Sequence, residues 1–359
     1  MTEHTFERVV VFAPNWLGDA VMALPALADV RRTFPEARLA VAARAKVAPL
    51  YSWVPDADDV LVLKEGRGIA RWIPQKNVER LKQGGFDVAV LLPNSFHSAW
   101  LARRAGVKER WGYRRDCRGP LLTRAVRHLR ARTHQSAYYQ GLTAALGMSN
   151  GPAIARLSPP IEAEGKARDL LKRRGWDGEA PLVGMAPGAA YGHAKRWLPE
   201  RFAELAVLVA GDGGASVLVG SGGDRQAGRA IAAALGGRMF SGRQPGEGTP
   251  VVDLIGQTDL ETLAGVMRSC RVFVSNDSGA MHLAAALGVH VVAIFGASDE
   301  MATAPLPFES SGCGHTIVTA SAWCRPCMLR ECPIDHRCMS RIGAGRVFEV
   351  VRGWIRTEC

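Results

Sequence analysis

The chain alternates short apolar runs with longer stretches whose apolar residues recur at helical spacing. Val9-Val10-Val11-Phe12-Ala13 is a continuous β-branched and aromatic run, as expected of a strand buried on both faces. Ala20–Phe34 follows with helical periodicity, and Arg38–Ala43, Asp59–Leu63 and Asp87–Leu92 read as further strands. Ser98–Ala105 and Thr133–Leu146 read as helices. Breakers at Ser149–Pro152 and Ser158–Pro160 interrupt the pattern, and a polar helix over Glu162–Arg174 stops at Gly175. The alternation then restarts. Strands are predicted at Leu182–Ala186, Ser216–Val219, Val251–Leu254, Val272–Val274 and Val291–Phe295. Helices are predicted at Pro199–Ala210, Arg225–Leu235, Leu260–Ser269 and Met281–Leu287, with an amphipathic tail over Val347–Ile355.

This alternation predicts an α/β chain of two doubly wound parallel sheets. The 359 residues suffice for two ordinary domains. The first is expected over residues 1–175, the second over 176–345, and a C-terminal helix over 346–359, with the linker near 175–181. Two similar halves imply a cleft between them. A composition of 47% hydrophobic and 22% charged residues argues against disorder. The longest apolar stretch, Leu283–Phe295, is broken by Gly288 and His290, too short a run to span a membrane. The first residues have neither the apolar core nor the cleavage site of a signal peptide, so a cytoplasmic location is expected.

The net charge of +11 changes this picture through its distribution. Residues 1–150 hold 23 Lys+Arg against 13 Asp+Glu, whereas 151–359 hold 22 against 21. Arg103–Arg132 alone holds eleven basic and two acidic residues, including Arg103, Arg104, Arg114, Arg115 and Arg118. Such a segment is either a solvated face or a surface for an anionic partner. Trp111 and Tyr113 are interleaved with the cations, as nucleic-acid binders also show, but no nucleic-acid module is recognisable there.

Four strand-to-helix junctions carry candidate chemistry. In Ala13–Leu27, Asp19 opens a helix and is either a helix-start acid or a carboxylate general base. In Ala186–Phe202, small residues precede Lys195-Arg196 and then Pro199, a cationic helix start suited to a diphosphate but not a P-loop. In Val217–Gly228, Gly220-Ser221-Gly222-Gly223-Asp224 would let a flat ligand approach, with Asp224 as an acceptor for ribose hydroxyls. In Val274–Asp299, Ser275 and Ser278 can cap a helix, Asp277 can accept from sugar hydroxyls, and His282 lies in the first turns. Three of the four junctions fall in the second half, which suggests that this half holds a nucleotide and the first supplies acceptor and base.

Six of the eight cysteines fall in the last fifty residues, and without a secretion signal a disulfide framework is not expected. Cys324, Cys327, Cys332, His336 and Cys338 are spaced like zinc ligands, although a second CxxC is missing. They could hold a structural zinc ion or pack a loop as reduced thiols.

PNWLGDAVMALPAL, PGAAYGHAKRWLPERF and SNDSGAMHLAAALGVHVVAIFG, in this order over roughly residues 9 to 300, resemble the ADP-heptose:lipopolysaccharide heptosyltransferases, the second-heptose branch most of all. The resemblance implies a GT-B-type glycosyltransferase of two Rossmann-like domains. It implies inverting transfer of L-glycero-D-manno-heptose from ADP-heptose to the heptosyl-Kdo-lipid A inner core, without a required cofactor. It further implies that Asp19 is the base and that Lys195 neutralises the diphosphate. Asp277, Ser278, Gly279 and His282 would surround the donor, with Gly220, Ser221 and Asp224 toward the nucleoside. The basic segment would then meet phosphorylated lipid A and Kdo carboxylates, placing the protein peripherally on the inner face of the inner membrane. First-heptose transfer or another nucleotide sugar is the alternative within this class. A nucleic-acid-binding protein with a zinc-like cluster is the alternative outside it, and no nucleic-acid partner is expected on the leading reading. A nicotinamide oxidoreductase is disfavoured because no GxGxxG follows the first strand.

Overall fold

The apolar run at the start of the chain becomes the central strand of a parallel sheet, with Val9, Val10, Val11 and Phe12 all buried. A computed structural model describes residues 6–64, 75–127, 132–236, 251–308 and 314–356. The chain divides into two units, Met1–Ser158 and Pro159–Cys359.

The first unit runs β1 (Arg8–Phe12), α1 (Leu17–Met22), α2 (Leu24–Thr33), β2 (Arg38–Arg44), α3 (Ala48–Tyr51), β3 (Asp59–Leu63), α4 (Gln75–Gly84), β4 (Val88–Leu91), α5 (Phe96–Arg104), β5 (Glu109–Tyr113), β6 (Arg124–Val126) and α6 (Gln135–Ala145). Its strand order is β3-β2-β1-β4-β5-β6, all parallel, with Val9 opposite Leu39 on one side and Val88 on the other.

The second unit runs α7 (Glu162–Arg173), β7 (Leu182–Ala186), α8 (Pro199–Gly211), β8 (Ala215–Leu218), α9 (Arg225–Ala234), β9 (Val251–Asp253), α10 (Leu260–Arg268), β10 (Val272–Asn276), α11 (Gly279–Ala286), β11 (His290–Phe295), α12 (Glu300–Thr303), β12 (Thr316–Thr319), α13 (Arg337–Ser340) and α14 (Ala344–Arg356). Its order, β12-β11-β10-β7-β8-β9, repeats the same plan in parallel. Gly184 in β7 lies under Phe273 of β10, where a Cβ would stand 2.3 Å from the ring. Each Val, Leu or Phe so buried contributes about 1.5–3 kcal/mol.

Three expectations are corrected. The helix expected over Ala20–Phe34 is two helices, because Pro25 sits in the first turn of α2 and cannot continue the ladder of α1. The unit boundary lies at Ser158, not at 175. Helix α7 belongs to the second unit because it presses on α10 at Gly265, where a Cβ would meet the Ala163 carbonyl oxygen at 2.1 Å. The expected C-terminal helix is α14, and its Val347, Val351 and Ile355 lie in the core of the second unit.

The third correction concerns the basic segment. It contains β5 and β6, and its aromatics are core residues: Trp111 and Tyr113 are buried. Arg103, Arg104, Arg114 and Arg115 are exposed, but Arg118 is 0% exposed and offers no surface charge. Its guanidinium donates to the carbonyl oxygens of Tyr113 at 2.9 Å, Leu91 at 3.5 Å and Pro93, and to Asn94 Oδ1 at 3.2 Å and Ser98 Oγ at 3.4 Å. Burial pulls its pKa down to about 10, so it remains a cation at neutral pH. Residues 128–131 of this segment lie outside the described residues.

Two predictions follow from this packing. Arg118→Ala should destabilise the first unit by at least ~3 kcal/mol, since each buried acceptor left unpaired costs about 1–3 kcal/mol. Reversing the exposed Arg114 should stay within about 0.5 kcal/mol. Denaturant titration of both variants checks the contrast. The second prediction concerns acid. His290 stacks on Trp354 of α14 with centroids 4.0 Å apart, and its Nε2 lies 3.2 Å from Thr316 Oγ1. Burial first, then neighbouring His315, lowers its pKa to about 4. The unfolded chain therefore takes up a proton near pH 6.5 that the folded chain refuses until about pH 4. Stability is full above pH 6.5 and falls as pH drops toward 4, and His290→Phe should flatten that fall in Tm measured calorimetrically.

Candidate active site

In a doubly wound parallel sheet, loops at the carboxyl ends of the strands gather on one edge, and ligands bind where the winding reverses. In the first unit that point lies between β1 and β4. The chain leaves β1 through Ala13–Trp16 into α1, and Asp19 falls in the first turn of that helix. Asp19 is half-buried and accepts a hydrogen bond from the Tyr139 hydroxyl at 3.3 Å. Burial, then the Asp19 charge, raises the Tyr139 phenol pKa well above its usual value. The fully buried Tyr51 phenol is raised for the same two reasons, and its hydroxyl donates to the Ala20 carbonyl oxygen at 3.5 Å. Both phenols therefore keep their protons at neutral pH and act as donors. Trp16, at the N-cap position of α1, is 66% exposed. On the β4 side, Ser95 caps α5 by accepting from the Ser98 amide at 3.2 Å.

In the second unit the reversal lies between β7 and β10. The loops after these strands carry Lys195 and Asp277, and the structure joins them: Lys195 Nζ stands 2.5 Å from Asp277 Oδ2. The Tyr191 ring lies 4.9 Å from the same ammonium. Asn276, the last residue of β10, is fully buried and ties the two loops together. Its side-chain amide donates to Pro187 O at 2.9 Å, and its Oδ1 accepts from Trp197 N at 2.9 Å. The Ser275 hydroxyl donates to Asn276 O at 2.8 Å and lies 3.1 Å from Ser278 Oγ. Ser278 occupies the N-cap position of α11 without a side-chain bond to the helix, so the amides of its first turn are not met by their own cap. Gly279 is the first residue of that helix, and His282 is buried within it.

Gly220 and Ser221 follow β8 as expected, but Asp224 is not an open acceptor. Its Oδ2 accepts from Ser221 N at 2.9 Å and Ser221 Oγ at 2.7 Å in a capping box, and Arg196 lies 3.8 Å from Oδ1. Its side chain also packs on Gly188 and Gly220, where a Cβ would stand 2.2 Å and 3.2 Å from it. Asp224 thus shapes the loops after β7 and β8.

Cys324, Cys327, Cys332 and Cys338 line one small cavity, and none is in a disulfide. Burial, then the three neighbouring thiols, pushes the Cys338 pKa up. His336 Nε2 instead donates to Ala194 O at 3.0 Å. Among the described residues, no group of three or more His, Cys, Asp or Glu side chains is already arranged to hold a metal ion.

A cavity of about 790 Å³ in the second unit lies away from these motifs, at the amino ends of the strands near Leu182 and His290. It contains none of the motif residues, so strand direction rather than cavity size locates the candidate site. Sequence reasoning missed Tyr139 and Asn276 as site residues. Asn276 could have been found, since it stands inside the polar turn that ends β10; Tyr139 lies 120 residues from the carboxylate it contacts.

Comparison with known proteins identifies the lineage. The profile of glycosyltransferase family 9 (heptosyltransferase) matches residues 75–337. The chain is 32% identical over 312 residues to lipopolysaccharide heptosyltransferase 2 of Salmonella typhimurium, covering 84% of this chain and 86% of that protein. It is 31% identical over 314 residues to lipopolysaccharide heptosyltransferase 2 of Escherichia coli, covering 84% and 86%. The solved structure of E. coli ADP-heptose LPS heptosyltransferase II superposes with a TM-score of 0.79 at 26% identity, over 97% of this chain and 98% of that one. With its two Rossmann-like units of the GT-B type, the chain belongs to glycosyltransferase family 9, the heptosyltransferases.

Proposed function

We propose that the chain is an inverting transferase that moves L-glycero-D-manno-heptose from ADP-heptose onto the heptosyl-Kdo-lipid A inner core of lipopolysaccharide. One observation carries this reading: the two switch points hold opposite chemistry. At the first, a carboxylate accepts from a phenol that stays protonated. At the second, an ammonium stands near a helix start that its own cap leaves unmet.

In this reading Asp19 takes the proton of the acceptor hydroxyl as its oxygen attacks the anomeric carbon of the heptose. The new carbon–oxygen bond forms on the face opposite the breaking bond to the β-phosphate oxygen, which inverts the centre. Tyr139 orients the carboxylate and stabilises its charged form. Lys195 and the first amides of α11 meet the charge that grows on the departing ADP. They supply the positive charge that this step requires, so the step as proposed calls on no metal. Asp277 holds the ammonium in place before the donor arrives. Ser278, Gly279 and His282 frame the donor from α11. Gly220 and Ser221 leave room toward the nucleoside, and Asp224 supports them from below.

The acceptor is a polyanion, and the exposed Arg103, Arg104, Arg114 and Arg115 supply cations to attract it. Among the described residues no helix is long and apolar enough to cross a membrane, so contact with the inner membrane is proposed as peripheral.

Asp19→Asn should abolish transfer while leaving ADP-heptose affinity nearly unchanged, and Lys195→Ala should weaken that affinity. Binding calorimetry alongside an ADP-release assay with defined inner-core acceptors separates the two. Equal losses of donor affinity and rate in Asp19→Asn would remove Asp19 as the base. Reversing Arg103 and Arg104 together should reduce sedimentation with anionic lipid vesicles and leave little salt dependence. Binding as strong as that of the unaltered chain would sink the membrane assignment.

A further inference from the structure

The stretch between β12 and α13 runs through the Cys-rich motif with turns and bends but no helix or strand. A loop of this length has no backbone ladder to hold it, so its order rests on scattered backbone bonds such as Met328 N to Ala297 O at 2.8 Å, on side-chain packing and on any cross-link. Cys324, Cys327, Cys332 and Cys338 all line one space of about 20 Å³, room for a single ion or water. None is oxidised to a disulfide. Four soft sulfur donors around one ion-sized space suit a tetrahedral zinc-class cation. Arg337 also lines this cavity, and Arg325 lies one residue from Cys324, so the excess negative charge of four thiolates would have guanidinium groups nearby. His336 lines the same cavity and its Nε2 donates to Ala194 O, so the imidazole already serves the neighbouring loop, and the four thiols alone suffice for a tetrahedral site.

The same segment grips the loop that carries Lys195. The Tyr191 hydroxyl donates to Met328 O at 2.9 Å, and the Ala194 amide donates to Arg330 O at 2.9 Å. His336 donates to Ala194 O at 3.0 Å. Gly192 lies flat on the backbone of Arg330, where a Cβ would stand 2.3 Å from the carbonyl oxygen. The Arg330 guanidinium lies 5.2 Å from the Tyr191 ring, which in turn lies 4.9 Å from Lys195 Nζ. Met328, Arg330 and His336 each fall between or beside the cysteines in sequence. Whatever fixes residues 327–338 therefore fixes the loop from Tyr191 to Lys195.

We propose that Cys324, Cys327, Cys332 and Cys338 bind one zinc ion as thiolates, and that this ion braces the Tyr191–Lys195 loop in its donor-binding form. The brace rests on the reading of Lys195 as the diphosphate cation; the metal site does not. Because the thiols are not yet arranged around one point, ligation draws the four sulfurs inward and releases their protons, so metal binding and loop order are coupled. The ion touches neither sugar nor phosphate. It acts through the carbonyl oxygens of Met328 and Arg330 and the imidazole of His336.

The test begins with the full chain purified without chelator. Metal analysis should find one zinc per chain, and thiol titration in denaturant before and after removal should show four cysteines protected by the ion. Replacement by cobalt should give the intense visible bands of a tetrahedral four-thiolate site. Absence of tightly held metal, or a cobalt spectrum of mixed nitrogen and sulfur ligation, overturns the site whatever Lys195 does. ADP affinity is then compared across four proteins: the unaltered chain, Cys332→Ser, Gly192→Ala and Lys195→Ala. Cys332→Ser should lose zinc and weaken ADP binding by about tenfold, the scale on which loss of a supporting group acts. Gly192→Ala should keep its zinc and weaken ADP binding similarly, which guards against a Cys332→Ser variant that fails to fold. If Lys195→Ala weakens ADP binding while Gly192→Ala and zinc-free protein bind normally, the brace is wrong and the donor reading stands. If Lys195→Ala also binds normally, the donor reading has failed and the brace falls with it, while the zinc count still stands or falls alone.

Discussion

Lys195 and Asp277 face each other at 2.5 Å with 11% and 6% of their side chains exposed. Removing two charges from water costs several kcal/mol per ion, and their attraction offsets this when the geometry is fixed. The pair therefore depends on backbone that cannot drift. Asn276 supplies part of that rigidity with both ends of one amide side chain: the nitrogen holds Pro187 O and the oxygen holds Trp197 N, while the residue itself ends β10 beside Asp277. The Trp197 indole, fully buried, donates to Ile342 O at 2.9 Å and fixes the far end of the same loop. A lysine held this way has little side-chain entropy left to lose.

The first unit applies the same constraint to a carboxylate. Asp29 is completely buried and accepts from Thr143 Oγ1 at 2.9 Å, Gln140 Nε2 at 3.1 Å and Gly151 N at 2.8 Å, with Arg32 beside it. These bonds tie α2 to α6 and to the turn that follows α6. Helix α6 also carries Tyr139, so the network around Asp29 helps to place the phenol that reaches Asp19. Two aspartates ten residues apart thus differ by burial: Asp29 is enclosed and holds the helices together, and Asp19 is only half-buried.

The alternation of apolar runs and helical periods was enough to read the two doubly wound sheets, because strands buried on both faces leave continuous β-branched runs such as Val9–Phe12 and Val291–Phe295. The strands of the basic segment were not legible. ERWGY and RAV place charged residues at a sheet edge, and their pattern carries no apolar run. The unit boundary was misplaced because a polar helix followed by Gly175 looks like a domain end, while the contact of α7 with Gly265 lies some hundred residues away. Arg118 misled for a related reason. A sequence gives its charge but not the five acceptors that converge on it from Leu91–Ser98 and Tyr113. The turns at Asp19, Lys195 and Asp277 were legible because each stands where an apolar run ends.

The two units share one strand order and one switch point, and nothing in that frame distinguishes them. The difference enters in the residues that leave the strand. After β1 the chain turns at once into a helix, and an acid in its first turn is kept partly open to solvent. After β7 it makes a longer excursion through Gly188, Gly192 and a single 3₁₀ turn, His193–Lys195, before Pro199 opens α8. That excursion leaves Lys195 outside any α-helix, so its position cannot come from the sheet alone. Asn276, Asp224 and the Cys-rich segment each press on it from a different side, and two of its glycines exist where a side chain would collide with them. The parallel sheet fixes the edge at which ligands bind in such folds; the groups that crowd this one loop fix the ammonium that stands there.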